Sequence, residues 1–344
     1  MEERAPRYEI NARLKAEGLR FWCAESAPFA ICGLMKEGGK FRRMPEAVAR
    51  TVSPAVLALH ANTAGGRVRF VTDSRRIAIH AEMENVARFA HFSLSGSAGF
   101  DAYRDGVFAG PFLPPYDLTD GYESLLELPG AGPAEITLHF PLYADVCGLW
   151  IGLDEGAAVE AAAPYRHDLP VVYYGSSITQ GACASRPGMA YQSILARERG
   201  LDYINLGFSG SAKAEDEMID YIKGLRMRAF VLDYDYNAPD PAYLARTHGR
   251  AYDAVRRAQP ELPIILMNRP RFCLSEEDRA RRAVIEETYE RAVRAGDKRV
   301  RYVDNRALTR LCGADGSVDN VHPTDLGFVS MARALGEAMD ELGI

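Results

Sequence analysis

The chain has 344 residues, of which 47% are hydrophobic and 26% charged, with a formal net charge of −6. That length exceeds what a single core usually fills, so two domains are expected, with the composition of a water-soluble globular protein. Mild acidity, with no basic run and no interleaving of aromatic and basic residues, excludes nucleic acid as an expected partner.

The opening Met1-Glu2-Glu3-Arg4-Ala5-Pro6 lacks the apolar stretch of a secretory leader, and no uninterrupted apolar segment is long enough to span a bilayer. The expectation is a cytoplasmic protein without a membrane partner. From about residue 20 to 155 the sequence reads as β structure. Residues 67–72, 76–81 and 135–140 alternate polar and apolar, and 148–153 is a mostly apolar run. Turn signals such as Gly65-Gly66, Asp105-Gly106 and Pro129-Gly130 punctuate them. Many short strands with little helical signal imply a β-sandwich or jelly roll over residues 1–160. His60, His80, His91 and His139 fall in or beside these strands and are read as packed or surface residues, because no second type of metal ligand stands at metal spacing. Residues 155–164, small and patternless, are read as a flexible linker.

Beyond the linker, strand-like runs alternate with helix-length segments. Strands are predicted at 170–174, 203–206, 229–233, 262–267 and 301–304, and helices at 189–199, 214–224, 241–258, 276–295 and 324–342. This alternation predicts a parallel sheet covered on both faces, an α/β domain over residues 168–344. The six cysteines (Cys23, Cys32, Cys147, Cys183, Cys273, Cys312) are scattered, with no Cys-x-x-Cys pair. They are expected to be free thiols, mostly buried, and no metal is expected.

The second half is organised around Val171-Val172-Tyr173-Tyr174-Gly175-Ser176-Ser177-Ile178-Thr179-Gln180-Gly181. A buried strand stops, turns on small residues and starts a helix, which puts Ser177 at the carboxyl end of a parallel strand, where such sheets bind ligands. A hydroxyl there suits a nucleophile; an ordinary strand-to-helix turn reads equally well. Ser317-Val318-Asp319-Asn320-Val321-His322-Pro323-Thr324 lets one short loop present a carboxylate and an imidazole, so that Asp319 orients His322 and His322 takes the proton of Ser177. The alternative is a turn-capping aspartate beside a surface histidine. A developing oxyanion needs fixed donors. Gly210, in Gly207-Phe208-Ser209-Gly210-Ser211, offers a backbone N–H, and Asn237, in Tyr236-Asn237-Ala238-Pro239, offers a side-chain N–H; a glycine-rich turn and an Asx turn are the bland readings. Arg186 and Arg269 could each bind a substrate oxygen, or brace a loop through an ion pair. Cys183, near the nucleophile, is read as packing.

The order Ser…Asp…His, with the last two in one loop, resembles the SGNH (GDSL-type) hydrolases, from Val171 to the end of the chain. Gly175 to Gly181 looks like the family's first block, with Ser177 as nucleophile; Gly210 and Asn237 match the oxyanion glycine and asparagine, which the Ser177 amide completes; Asp319 and His322 match the last block. Ser176 replaces the usual aspartate before the nucleophile, and Asn237 lacks the commoner Gly-x-Asn-Asp context. The α/β-hydrolase elbow Gly-x-Ser-x-Gly is absent. A closer resemblance is to SGNH proteins with an N-terminal β-sandwich bearing Gly-x-Asp-Leu-Tyr, which stands here as Gly99-Phe100-Asp101-Ala102-Tyr103. The resemblance implies a flavodoxin-like hydrolase domain behind a jelly-roll-like sandwich. It implies an esterase that works through an acyl-enzyme without cofactor or metal, on a small-molecule ester, with acetylated sugars favoured. An acyltransferase of the same fold and a non-catalytic carbohydrate-binding protein are the alternatives. Oligomeric state is left open.

Overall fold

The computed structural model describes residues 5–344; residues 1–4, part of the opening read above for the absence of a leader, lie outside the described residues. The chain forms two compact units. The first comprises residues 5–43, Ala61–Tyr165 and Ser185–Gly188, and the second Met44–His60, Arg166–Ala184 and Met189–Ile344.

Strands β1 (Leu19–Cys23), β2 (Ala30–Cys32), β3 (Met35–Glu37) and β4 (Lys40–Arg42) lead to helices α1 (Glu46–Val52) and α2 (Pro54–Leu59). Then come β5 (Arg67–Thr72), β6 (Arg76–Val86), the one-turn α3 (Leu94–Ser97), β7 (Phe100–Arg104) and β8 (Val107–Phe112). β9 (Gly121–Glu127), β10 (Ala134–His139), β11 (Ala144–Asp154) and β12 (Val159–Glu160) follow. In the first unit these strands build two antiparallel sheets, ordered β1-β11-β6-β9 and β12-β5-β10-β7-β8, with β2 also on β5 and a separate β3-β4 hairpin. Residues i and i+2 of a strand share a face. Val68 and Phe70 of β5 with Ile136 and Leu138 of β10 therefore meet Ile77 and Ile79 of β6 and Leu149 and Ile151 of β11 in one buried core. This is the expected sandwich.

Two features differ from the sequence expectation. Residues 46–59, expected within a β stretch, form two helices separated by Ser53. Ser53 ends α1 in extended backbone and caps α2 by accepting from the Val56 N–H (3.1 Å), with Pro54 in the first turn. Met44, Ala49 and Val56 are buried in the core of the second unit. The linker is not loose chain: Val159 and Glu160 pair with Thr72 and Val71 of β5. Just beyond it, the Tyr165 hydroxyl accepts from Arg67 Nε (3.1 Å) while Arg69 lies over the Tyr165 ring.

In the second unit, β13 (Val171–Gly175), α4 (Ser177–Gln180), α5 (Tyr191–Arg199), β14 (Tyr203–Gly207) and α6 (Asp216–Lys223) precede β15 (Ala229–Asp233), α7 (Pro241–Ala258) and β16 (Ile264–Met267). α8 (Glu276–Arg294), β17 (Val300–Val303), α9 (Asn305–Leu308) and α10 (Asp325–Leu342) complete it. The strands are parallel in the order β14-β13-β15-β16-β17, the flavodoxin-like arrangement. Val172, Tyr174, Phe230, Leu232, Ile264 and Leu266 are buried in the core on one face, whereas Tyr173 and Tyr203 pack on the other with Tyr191 of α5, which stacks on Phe328 of α10. Burial on both faces explains why these strands read as apolar runs. The long helices α7, α8 and α10 begin where the sequence provides caps: Asp240 before Pro241, a Ser275–Asp278 capping box, and Thr324. The connection from β13 runs to β14 on one side and that from β15 runs to β16 on the other, so the crevice of this sheet opens between the carboxyl ends of β13 and β15.

Candidate active site

The turn after β13 is built by close packing. A Cβ on Gly175 would lie 2.1 Å from Thr179 Oγ1 and 2.2 Å from the Asp233 carbonyl, so only glycine lets α4 fold back onto the strand ends. Ser176, in the place of the aspartate expected from the family pattern, caps α4 by accepting from the Ile178 N–H (3.2 Å). The Thr179 carbonyl accepts from Asn205 Nδ2 (2.7 Å) and Gln192 Nε2 (2.7 Å), and Thr179 Oγ1 donates to Asp233 Oδ2 (2.9 Å). Buried side chains from β14, α5 and β15 thus fix the turn on which Ser177 sits.

Ser177 Oγ lies 2.9 Å from His322 Nε2, across 145 positions of sequence. His322 Nδ1 is 2.8 Å from Asp319 Oδ2, while Asp319 Oδ1 accepts from the backbone N–H groups of Val321 (3.0 Å) and His322 (2.8 Å). The loop is a tight hairpin: Ser317 bridges Pro323, the Val318 N–H donates to the His322 carbonyl, and Asn320 turns with φ of 66°. The Asp-x-x-His spacing works because one carboxylate oxygen closes the turn and the other meets the ring. Burial alone would raise the Asp319 carboxyl, but its bonds to the His322 N–H, the His322 ring and the Val321 N–H outweigh that and hold it below the usual carboxylate range.

Gly210 is exposed, with φ of 70°, in a turn that starts where Ser211 N donates to the Phe208 carbonyl. Gln180 Oε1, from the end of α4, accepts from the neighbouring Ser209 N–H (3.1 Å). Asn237 closes a 3₁₀ turn, Asp235–Asn237, and its Oδ1 accepts from the Ala212 N–H (3.2 Å). That bond fixes the amide, directs its NH₂ group away from Ala212 and joins the Gly210 loop to the Asn237 turn.

Both arginines are held in ion pairs within the chain, the bracing role named above. Arg186, in the first unit, pairs with Asp101 (3.1 Å), donates to the Tyr103 hydroxyl and lies over the Phe108 ring at 3.8 Å. Asp101 also accepts from the Gly188 N–H and from His139, so the Asp and Tyr of Gly99-Phe100-Asp101-Ala102-Tyr103 hold residues 185–188. Arg269 is buried, paired with Asp235 (3.3 Å) and Asp278 (2.7 Å), with its guanidinium over Tyr236. All six cysteines are free thiols, but only Cys23 and Cys147 are buried; Cys273 is exposed and the others lie between. Burial and the nearby Asp319 charge push the Cys183 thiol up to about 12, consistent with a packing role.

Sequence reasoning missed Asp233. Its carboxyl is buried at the end of β15, accepts from Thr179 and from the Tyr191 hydroxyl (3.3 Å), and is pushed up to about 8 by burial, to which the Asp235 charge adds. The available signal was an acidic residue ending an otherwise apolar strand.

The family model for GDSL-like lipases and acylhydrolases matches residues 168–340, and the GxDLY model, the N-terminus of SGNH-hydrolase-type esterases, matches residues 19–159. The chain belongs to the GDSL-like lipase/acylhydrolase family. No curated protein matches it. Among solved structures, a protein of Bacteroides ovatus described as a GDSL-like lipase is 30% identical, with a TM-score of 0.83, covering 94% of this chain and 98% of its own. A salicylyl acyltransferase from a tetracycline biosynthetic pathway is 20% identical (TM-score 0.78; 96% and 99% covered). A family two carbohydrate esterase from Clostridium thermocellum, solved with cellohexaose, is 17% identical (TM-score 0.63; 92% and 99% covered). Membership of the family supports hydrolase or acyltransferase activity.

Proposed function

We propose that this protein is a serine esterase that removes acyl groups, acetyl first among them, from small carbohydrate-like esters. The observation that carries the reading is the unbroken chain Ser177 Oγ–His322 Nε2 (2.9 Å) and His322 Nδ1–Asp319 (2.8 Å) at the carboxyl end of β13. Ser177 Oγ attacks the acyl carbonyl carbon as His322 Nε2 takes its proton, and Asp319 holds the imidazolium in place. The backbone amides of Ser177 and Gly210 and the side-chain NH₂ of Asn237 receive the oxyanion. His322 then protonates the departing alcohol and draws a proton from the water that cleaves the acyl-enzyme. No step uses a metal or cofactor. The carbohydrate esterases of the same fold make acetylated mono- and oligosaccharides the first substrates to screen.

The test combines fluorophosphonate labelling with turnover of p-nitrophenyl acetate, in wild-type protein and in Ser177→Ala. Labelling and turnover that both vanish in Ser177→Ala are expected. A wild-type protein that neither labels nor turns over would leave a carbohydrate-binding role and end the esterase reading. Product analysis with added sugar alcohols separates hydrolysis from transfer: a new ester in place of free acid would identify the acyltransferase suggested by the salicylyl acyltransferase fold.

A further inference from the structure

We infer that Arg281 is a positioning residue for the oxyanion site: it sets Asn237 by clamping both ends of the turn that carries it. The inference rests on the esterase reading above. Arg281 is buried on α8, yet it is not spent on a second buried charge. Its Nη1 donates to two backbone carbonyls, Asp235 O (2.8 Å) and Ala238 O (2.9 Å), which flank Asn237 on either side. Its Nε and Nη2 donate to Glu277 Oε1 (2.9 and 2.7 Å), one helical turn back and itself exposed. The guanidinium is therefore oriented from one edge and delivers two bonds from the other, a geometry that a lysine ammonium on a flexible stem does not reproduce.

The rest of the turn is held independently. Arg269 contacts the Asp235 carboxylate through its Nε and backbone N–H, and the Asp235 carbonyl through Nη2 (3.3 Å). The Ala212 N–H holds Asn237 Oδ1. What Arg281 alone supplies is the bond at Ala238, immediately after Asn237. Without it the Ala238 carbonyl loses this donor, and the turn is free to relax about Asn237. An oxyanion donor acts only if it lies within hydrogen-bonding reach of the place where charge develops, so a small displacement lowers turnover rather than affinity.

The experiment is a double-mutant cycle on p-nitrophenyl acetate turnover with Asn237→Ala and Arg281→Lys, with thermal unfolding of each variant. Arg281→Lys is expected to lower kcat roughly 10-fold, within the ~10²–10³ ceiling set by losing the donor outright, with KM within about 2-fold. In the Asn237→Ala background the same change should alter kcat by less than about 2-fold, because the residue acts through Asn237. Should Arg281→Lys fail to fold, Glu277→Ala replaces it in the cycle: it releases the orienting edge, and a smaller kcat loss with the same non-additivity is expected. Equal kcat losses in both backgrounds, or a lowered unfolding temperature with kcat unchanged, would overturn the inference while the esterase reading stands. That reading fails separately, if Ser177→Ala turns over as fast as wild type.

Discussion

Asp233 makes a prediction whose size follows from its surroundings. Burial at the end of β15, with the Asp235 charge adding, pushes its carboxyl up to about 8 against the opposing bonds from Thr179 and Tyr191. In the unfolded chain the same group titrates near 4. Between those values the native state keeps a proton that the unfolded state has lost. Stability therefore falls as pH rises, by about 1.4 kcal/mol per unit, and levels off above about pH 8. Near pH 7 the loss relative to pH 4 is about 4 kcal/mol, a large part of the ~5–15 kcal/mol typical of a domain. Asp233→Asn keeps the shape and an accepting oxygen and abolishes the titration, while its extra N–H costs about 1–3 kcal/mol if unpaired. The variant should thus be level with or slightly below wild type near pH 5 and clearly more stable near pH 8. Urea unfolding followed by far-UV circular dichroism suits the test, because the helical signal comes from the second unit apart from the single turn α3. A stability difference that stays constant from about pH 5 to pH 8 would refute the reasoning.

Three further expectations are independent of that one. Asp319→Asn leaves the hairpin largely intact but offers the wrong hydrogen-bonding partner to His322 Nδ1, and kcat should drop about 10⁴-fold with the unfolding temperature little changed; retention of near-wild-type turnover would remove Asp319 from the mechanism. Gly175→Ala forces a Cβ to within 2.2 Å of the Asp233 carbonyl, so α4 must shift: a loss of roughly 1–3 kcal/mol in stability together with sharply reduced fluorophosphonate labelling is expected, and normal labelling would show that the turn tolerates the methyl. Cys183, with its thiol pushed up to about 12, should react with iodoacetamide near pH 8 far more slowly than the exposed Cys273, as peptide mapping would reveal.

Local physics wrote much of the second unit into the sequence. Strands buried on both faces must be apolar throughout, and the Asp240-Pro241, Ser275–Asp278 and Thr324 caps mark helix starts, so the predicted elements lie within two residues of those observed at nearly every end. The Asp319–His322 pair was legible for the same reason: one hairpin makes it, and the spacing of three is the cause of the contact. The sandwich was less legible. β5, β6 and β10 alternate clearly and β11 is a mostly apolar run, whereas three-residue strands such as β2, β3 and β4 are too short to show a period. Other features were decided by residues distant in sequence. Helices α1 and α2 lie in a β-rich stretch because Met44, Ala49 and Val56 find their apolar surface in a core whose other members begin more than 100 positions later, at Val172. An arginine's chemistry is the same whether it meets a substrate or a carboxylate of its own chain. Only folding brings Asp101 to Arg186 across 85 positions and Asp235 to Arg269 across 34. The meeting of Ser177 with His322 is of this second kind: the sequence supplies both groups and the turns that present them, and the parallel sheet brings them together.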